Sequence, residues 1–156
     1  MSAQSAHAFL AAHAPELSVV DQDVSTATVA EAAVALGVTP AEIAKTLSLR
    51  VGNTVMLLVT RGDARLDNAK ARAALGGKPR MLDAAEVEHI TGHPVGGVCP
   101  FGLATPLPVY CDISLKDFTA VWPAAGSRTT SVQVTPDRLA EITSAAWVDA
   151  CRLPEG

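Results

Sequence analysis

The sequence predicts an α+β fold, a compact mixed and partly closed barrel-like sheet with short helices around it. Short β-branched segments alternate with short helical segments whose capping residues are easy to recognise. Some strands follow one another as hairpins and others are separated by helices, which argues against a regular doubly wound fold. At 156 residues, 49% of them apolar, the chain is expected to form one domain over 1–156.

Capping residues predict where the helices start and end. Thr28 with Glu31 forms a capping box before an alanine-rich segment that ends at Gly37. Thr39, followed by Pro40, predicts the start of a second short helix. Further helices are predicted to start at Asp67, Asp83 and Thr135, and the first two of them to end near Gly76 and Gly92.

The strands are predicted between these helices. Gly52 and Asn53 form a two-residue connection typical of a tight hairpin between strands over 47–51 and 54–60. Further strands are predicted over 108–113, 118–122 and 130–134, where β-branched and aromatic residues concentrate.

Composition excludes several classes of protein. The longest apolar runs, such as 55–59, fall far short of the ~20 residues of a membrane-spanning helix. The first fifteen residues lack the basic start of a secretion signal, so we expect a cytoplasmic protein without a membrane partner. The cysteines, Cys99, Cys111 and Cys151, are odd in number and form no CxxC pair, which predicts reduced thiols.

No metal or other cofactor is expected. His89 and His93 have a spacing that can place two imidazoles on one helix face, and Cys99 follows nearby. However, the helix is predicted to end at Gly92, between the two histidines, which argues against a metal site.

The charges are unevenly distributed along the chain. A net charge of -4 argues against a protein that grips DNA or other nucleic acid over a large area. Between Lys45 and Arg80, however, eight basic residues accompany two acidic ones. This segment, with Lys70 and Arg72 at its centre, is either a local RNA-binding surface or a solvated face of mixed charge.

Lys45 is the first candidate for chemistry. In an extended segment its side chain shares a face with Leu47 and Leu49, whereas Thr46 and Ser48 lie on the other face. A lysine at the end of an apolar face either extends to water past the strand end or points into a pocket as a functional cation.

Two glycine-containing loops are the other candidates. The segment 92–102 has four glycines and two prolines, so its backbone can approach a ligand closely or present donors to an oxyanion. It lacks the Gly-Lys-Ser/Thr ending of a phosphate-binding P-loop, and a structural turn is the alternative. In 124–129, Ser127 and Arg128 beside Gly126 offer donors to an anion, although a hairpin turn explains the same residues.

Together, and in this order, these segments resemble the YbaK/EbsC family, which is similar to the editing domain of bacterial prolyl-tRNA synthetases. The resemblance covers roughly 24–144 and rests on four segments. They are 43–47, 62–67, the Gly96-x-x-x-Pro100 loop with Phe101 and Gly102, and 126–128. It implies a compact mixed fold and hydrolysis, by a free-standing protein, of the ester that joins a wrong amino acid to the terminal adenosine of tRNA.

The resemblance also implies roles for individual residues. Lys45 becomes the pocket cation and the catalytic residue, and the family's pattern adds Thr46 to the pocket although strand parity turns it away. The implied substrate-binding residues are Thr46, Gly96, Gly97, Val98, Pro100, Phe101, Gly102, Gly126, Ser127 and Arg128. The implied partner is the acceptor end of a mischarged tRNA, with an aminoacyl-tRNA synthetase as a second candidate.

The substrate amino acid stays open at this point. The branch of the family that clears alanyl-tRNA carries a histidine near the late strand, where this chain has 126–129 without one, so serine, threonine, cysteine or a non-protein amino acid are all candidates. A non-catalytic module that binds a tRNA acceptor end, a nucleotide or a synthetase is the alternative function, because a fold alone does not establish an activity.

Overall fold

The computed structural model of the chain describes residues 2–154, and residues 1, 155 and 156 of the predicted domain lie outside that part. The helices are α1 (Ser2–His13), α2 (Val29–Leu36), α3 (Asn68–Leu75), α4 (Ala84–Thr91) and α5 (Pro136–Thr143), with 3₁₀ turns at Pro40–Glu42 and Ile113–Asp117. The strands are β1 (Val19–Asp21), β2 (Ile43–Val51), β3 (Thr54–Arg61), β4 (Arg65–Leu66), β5 (Arg80–Met81), β6 (Val109–Asp112), β7 (Trp122–Pro123), β8 (Thr130–Val132), β9 (Ala146–Val148) and β10 (Cys151–Arg152). Over residues 2–154, no helix combines the length and apolar character that crossing a membrane requires.

The predicted helix starts are confirmed, with one shortened. The side chains of Thr28, Asp67, Asp83 and Thr135 each accept a hydrogen bond from the backbone N–H three residues later. The segment after Thr39 forms only the 3₁₀ turn Pro40–Glu42, because Ile43 already has extended backbone torsions and begins β2.

A six-stranded mixed sheet forms the centre of the fold. Its order is β5-β2-β3-β6-β9, and β7 pairs with β2 as well. The predicted hairpin is confirmed as the antiparallel pair β2 and β3, while β6 and β9 continue the sheet in parallel. Single bridges, Val121 to Val134 and Ala124 to Ser131, connect the β7 region to β8, which pairs with β1. The sheet is therefore partly closed, as predicted.

Three predicted strands are shorter than expected, and the one predicted over 108–113 spans only Val109–Asp112. Of 118–122, only Trp122 joins a strand, because the preceding chain is held in a 3₁₀ turn whose Ser114 N–H donates to the Asp112 carboxylate at 3.0 Å. The strand predicted over 130–134 ends at Val132, since Val134 pairs only through its bridge to Val121.

The two faces of β3 pack into different apolar clusters. Leu57 and Val59 contribute to a cluster with residues of α1 and α5. Leu58 lies on the other face, in a cluster with Leu49 and with Ala71 of α3. Because side chains alternate along a strand, this arrangement gives β3 two buried faces rather than one.

The three cysteines are free and buried. Burial raises the pKa of each thiol to about 12. All three are therefore protonated at neutral pH, and none carries the thiolate that a nucleophilic cysteine requires.

Candidate functional site

The candidate site lies where the edge of β2 is left open. On the edge away from β3, β7 pairs with Ile43 and Ala44, and β5 pairs with Leu49 and Arg50. Between these two short strands, the Ser48 carbonyl oxygen accepts a hydrogen bond from the Leu82 N–H at 3.1 Å, and within residues 2–154 no strand covers 45–47 on this edge. An uncovered strand edge presents backbone N–H and C=O groups to a ligand.

A cavity of about 230 Å³ opens beside this edge. Its walls come from α2, β2, the start of α4, the loop that contains Gly96, and β7. Most of the wall is apolar, with Ala32, Ile43, Leu82, Val87, Val98 and Trp122 among its residues. Its size and mainly apolar walls are suited to a small ligand fixed by a few polar groups.

Thr46 and Ser48 line this cavity from the same face of β2. The parity argument that turns Thr46 away from the site is therefore wrong. The face of β2 that carries Leu47, Leu49 and Val51 packs into the apolar cluster under α3, and the polar face meets the cavity. Sequence reasoning also missed Ser48, since alternating polar residues on a strand usually indicate a face in contact with solvent.

Lys45 contributes to the cavity wall, but its ammonium is engaged elsewhere. The Lys45 Nζ donates to the Ala64 carbonyl oxygen at 2.6 Å. Burial lowers the pKa of the Lys45 ammonium, and the neighbouring Asp63 carboxylate opposes this shift. The ammonium thus lies at the boundary between the cavity and the opposite face of β2, in a partly desolvated position.

The turn that holds the Ala64 carbonyl is itself firmly fixed. Arg61 forms a two-pronged ion pair with Asp63, at 2.6 and 2.9 Å, and a second pair with Asp117 at 2.8 Å. The same guanidinium, through its hydrogen bonds, lowers the pKa of Asp63. A Cβ at Gly62 would collide with the Pro40 carbonyl oxygen, so this position requires glycine. Gly62, Asp63 and Ala64 belong to the 62–67 segment of the resemblance, and Arg61 and Asp117 help to position the acceptor for Lys45.

Only part of the glycine loop reaches the cavity. Gly96 and Val98 line it, and Gly96 has a φ of +94° that an L side chain rarely adopts. A Cβ at Gly97 would lie 2.7 to 2.8 Å from backbone atoms of Ser127, so this glycine permits two loops to meet. Gly97 is buried in that contact and is not part of the cavity wall.

The end of the loop packs against α1. Phe101 is fully buried, with its ring centroid 6.0 Å from that of Phe9. Pro100 is also buried, and a Cβ at Gly102 would collide with the Ser5 carbonyl oxygen. These three residues anchor the loop rather than line the cavity.

The 126–128 segment supports the loop from the other side. Arg128 Nε donates to the Val95 carbonyl oxygen at 2.8 Å, and the Arg128 carbonyl oxygen accepts from Thr26. The Gly126 N–H donates to the Gly97 carbonyl oxygen at 3.2 Å, and the Ser127 hydroxyl bonds to that of Thr130 at 2.7 Å. The segment therefore holds the loop in place at the rim of the cavity.

Lys70 and Arg72 lie on α3, which packs on the cluster under β2 and not on the face that carries the hydroxyls. Lys70 forms an ion pair with Asp149 at 3.2 Å, whereas Arg72 is exposed and has no ion pair within residues 2–154. The structure does not bring these two side chains to the cavity.

A buried histidine lies beneath the loop, at a position that sequence reasoning treated only as a weak metal ligand. His93 Nε2 is 2.7 Å from the Phe101 carbonyl oxygen, and Nδ1 is buried without a hydrogen-bond partner in the described part of the chain. Burial lowers the pKa of His93, so the ring is neutral in the folded protein at neutral pH.

We expect His93 to make the protein sensitive to mild acid. An unfolded histidine titrates near pH ~6.5, and the folded pKa of His93 is lower, so only the unfolded chain gains this proton as the pH falls below ~6.5. The free energy of unfolding, measured in denaturant at pH 7.5 and 5.5, should fall more in wild type than in His93→Gln. The matched control His7→Gln, at an exposed position, should retain the wild-type dependence. An NMR titration that places the His93 pKa at or above 6.5 would contradict this account.

Comparison with known proteins identifies the family of the chain. A model of the aminoacyl-tRNA editing domain matches residues 23–142, which include β2, the glycine loop and 126–128. The chain belongs to this family. The resemblance to YbaK/EbsC proteins is thereby confirmed.

Relatives of the editing-domain family resemble the chain over most of its length. The "Uncharacterized protein YwhH" of Bacillus subtilis (strain 168) is 48% identical over 139 residues, which cover 88% of each chain. The "Putative Cys-tRNA(Pro)/Cys-tRNA(Cys) deacylase EbsC" of Enterococcus faecalis (strain ATCC 700802 / V583) is 28% identical over 137 residues, 86% of this chain and 81% of its own. A solved structure of "a putative trans-editing enzyme for prolyl tRNA synthetase" is 35% identical, with a TM-score of 0.88, and the match covers 99% of this chain and 98% of that one.

Proposed function

We propose that this protein is a free-standing trans-editing hydrolase that cleaves the ester of a mischarged aminoacyl-tRNA. The cavity at the open edge of β2, where Lys45 and the Gly96 loop meet, is the observation that carries the proposal. The family supports the class of substrate, and the 35% identity to the structure titled "a putative trans-editing enzyme for prolyl tRNA synthetase" supports action in trans.

In the proposed reaction, the aminoacyl group enters the cavity and the tRNA remains outside. Water adds to the ester carbonyl, the developing oxyanion is stabilised, and the bond to the ribose oxygen then breaks. The products are a free amino acid and tRNA whose ribose hydroxyl has regained its proton. Lys45 supplies the positive charge, either to the oxyanion or to the terminal phosphate, after its flexible side chain turns from the Ala64 carbonyl.

Positioning of the aminoacyl ester is proposed to supply most of the catalysis. Within residues 2–154, the cavity wall contains no carboxylate, imidazole or thiol that would act as a general base. An aminoacyl ester beside a ribose hydroxyl is already activated, so orientation and electrostatic stabilisation supply the larger contribution. No step of this reaction calls for a metal or another cofactor.

The candidate substrate-binding residues divide into two groups. Thr46, Gly96 and Val98 line the cavity and are proposed to contact the aminoacyl group. The others hold the loop in the required shape: Gly97, Pro100, Phe101, Gly102, Gly126, Ser127 and Arg128.

The body of the tRNA is proposed to contact the basic segment through Lys70 and Arg72. Replacing both with glutamate should weaken tRNA binding and reduce the slope of log affinity against log salt by roughly one to two units. The reason is that fewer counterions are released on binding when phosphate contacts are lost. A small aminoacyl ester, which lacks the tRNA body, should be hydrolysed at the wild-type rate. Unchanged tRNA affinity at both low and moderate salt would show that the segment is a solvated face.

A deacylation screen tests the proposed function. Wild-type protein is incubated with a panel of tRNAs, each charged with a non-cognate amino acid, and the remaining ester is measured over time. Catalytic turnover of at least one member, with many esters cleaved per protein molecule, is the expected result. Binding of aminoacyl-tRNA without any turnover would instead support the alternative, a non-catalytic module that recognises an acceptor end.

A further inference from the structure

The β2 side of the cavity carries two hydroxyl groups that have no hydrogen-bond partner in the part of the chain that the structure describes. The Thr46 Oγ1 and the Ser48 Oγ are buried, and neither has a partner among residues 2–154. Ser48 as a whole is only 3% exposed. A buried polar group without a partner destabilises the folded state. The presence of these two hydroxyls is therefore not explained by the stability of the fold.

The two hydroxyls are placed so that one ligand group can bind both of them. They are two residues apart on one strand, so their Cα atoms lie about 6.5 to 7 Å apart on the same face. A serine or threonine hydroxyl both donates and accepts, and rotation about χ1 redirects it. The cavity wall also contains Thr26, Thr28 and Ser131, but none of their hydroxyls forms a hydrogen bond with these two. A ligand group in the cavity that both donates and accepts would satisfy both hydroxyls.

We propose that the cavity selects an aminoacyl group whose side chain carries a hydroxyl, that is serine or threonine, and that Thr46 and Ser48 determine this specificity. The inference rests on the proposed function, since it requires the aminoacyl end of tRNA to enter the cavity. Valine has nearly the shape of threonine, and alanine is serine without its oxygen, so either would leave both protein hydroxyls unpaired. Sites that hydrogen-bond a substrate hydroxyl discriminate against its absence more strongly than sites that measure size alone.

The test compares, on one tRNA body, amino acids with and without the side-chain hydroxyl. The same tRNA is charged in turn with serine, alanine, threonine or valine, and kcat/KM is measured for each. Serine over alanine, or threonine over valine, should be preferred at least about tenfold, the effect of a hydrogen bond left unmade. A ratio near one in both pairs, or a preference for the apolar member, would overturn the inference.

Two variants assign the preference to these side chains. In the double variant Thr46→Val, Ser48→Ala the ratio should fall to about threefold or less, whereas Thr54→Val, an exposed position at the far end of the hairpin, should keep the wild-type ratio. The double variant should melt at or above the wild-type temperature, because the hydroxyls it loses have no partner among the described residues. An unchanged ratio, or a clear drop in melting temperature, would contradict the assignment.

Binding measurements separate this inference from the proposed function. The probes are 3′-seryl-amino-3′-deoxyadenosine and its alanyl counterpart, in which an amide replaces the ester and prevents hydrolysis. The seryl probe should bind about tenfold more tightly to wild type, and the double variant should lose that difference. Seryl preference without turnover of any tRNA would refute the hydrolase and sustain the specificity. Turnover with equal Kd values for the two probes would sustain the hydrolase and refute the specificity.

Discussion

Replacing Lys45 with alanine is expected to lower kcat/KM for deacylation by at least about a hundredfold, the scale seen when one electrostatic donor to a developing oxyanion is lost. The free energy of unfolding should fall by only about 1 kcal/mol, because the side chain is partly exposed and loses one hydrogen bond, to the Ala64 carbonyl. The measurements are turnover of the best mischarged tRNA and chemical denaturation of both proteins.

Two further variants serve as controls for Lys45. Lys45→Arg should also be impaired, because a planar guanidinium does not occupy the position of a compact ammonium in the same way. Lys78→Ala removes an exposed lysine that has no ion pair within residues 2–154, and hydrolysis of a small aminoacyl ester should not change. Near-normal turnover in Lys45→Ala would contradict the catalytic role, and a large loss of stability would point to a structural one.

Replacing Gly97 with alanine is expected to destabilise the fold by about 2 to 4 kcal/mol, the range of severe overpacking. A Cβ there would press against backbone atoms of Ser127 at 2.7 to 2.8 Å, and backbone yields less readily than a side chain. The matched control is Gly77→Ala, where the contact is with a Val51 methyl at 3.0 Å and the expected loss is below about 1 kcal/mol. Chemical denaturation measures both.

A loss of stability in Gly97→Ala would change the explanation for the glycine at position 97. The sequence suggests that the backbone of Gly97 meets the substrate, whereas the structure gives it a contact between two loops that shape the rim. Wild-type stability in Gly97→Ala would show that the loops do not approach each other so closely.

The parts of the fold that were predictable from sequence carry local signals. Thr28, Asp67 and Asp83 cap their helices through bonds within four residues, and Gly52 fixes the β2–β3 turn. In contrast, the two-residue strand β4 exists only because it pairs with β10, more than eighty residues away in the chain. The sequence of helix α1 lacks a strong amphipathic pattern. Its residues Ala6 and Leu10 are fixed by packing against distant strands.

The site was predictable in part for the same reason. Lys45 and Gly96 belong to distinctive segments, and both reach the cavity. Ser48 and Trp122 belong to no motif, and they become cavity residues only when β5 and β7 pair with opposite ends of the same edge of β2. A gap in a sheet edge depends on long-range pairing, and no spacing along the chain encodes it.

The central claim is that the aminoacyl end of tRNA binds in the gap on the edge of β2. NMR mapping with 3′-seryl-amino-3′-deoxyadenosine tests it directly, since each backbone amide reports its own surroundings. The account predicts that the largest chemical-shift changes occur at 45–48 and 96–98 and that α3 is little affected. Changes concentrated on α3, with 45–48 unperturbed, would contradict it.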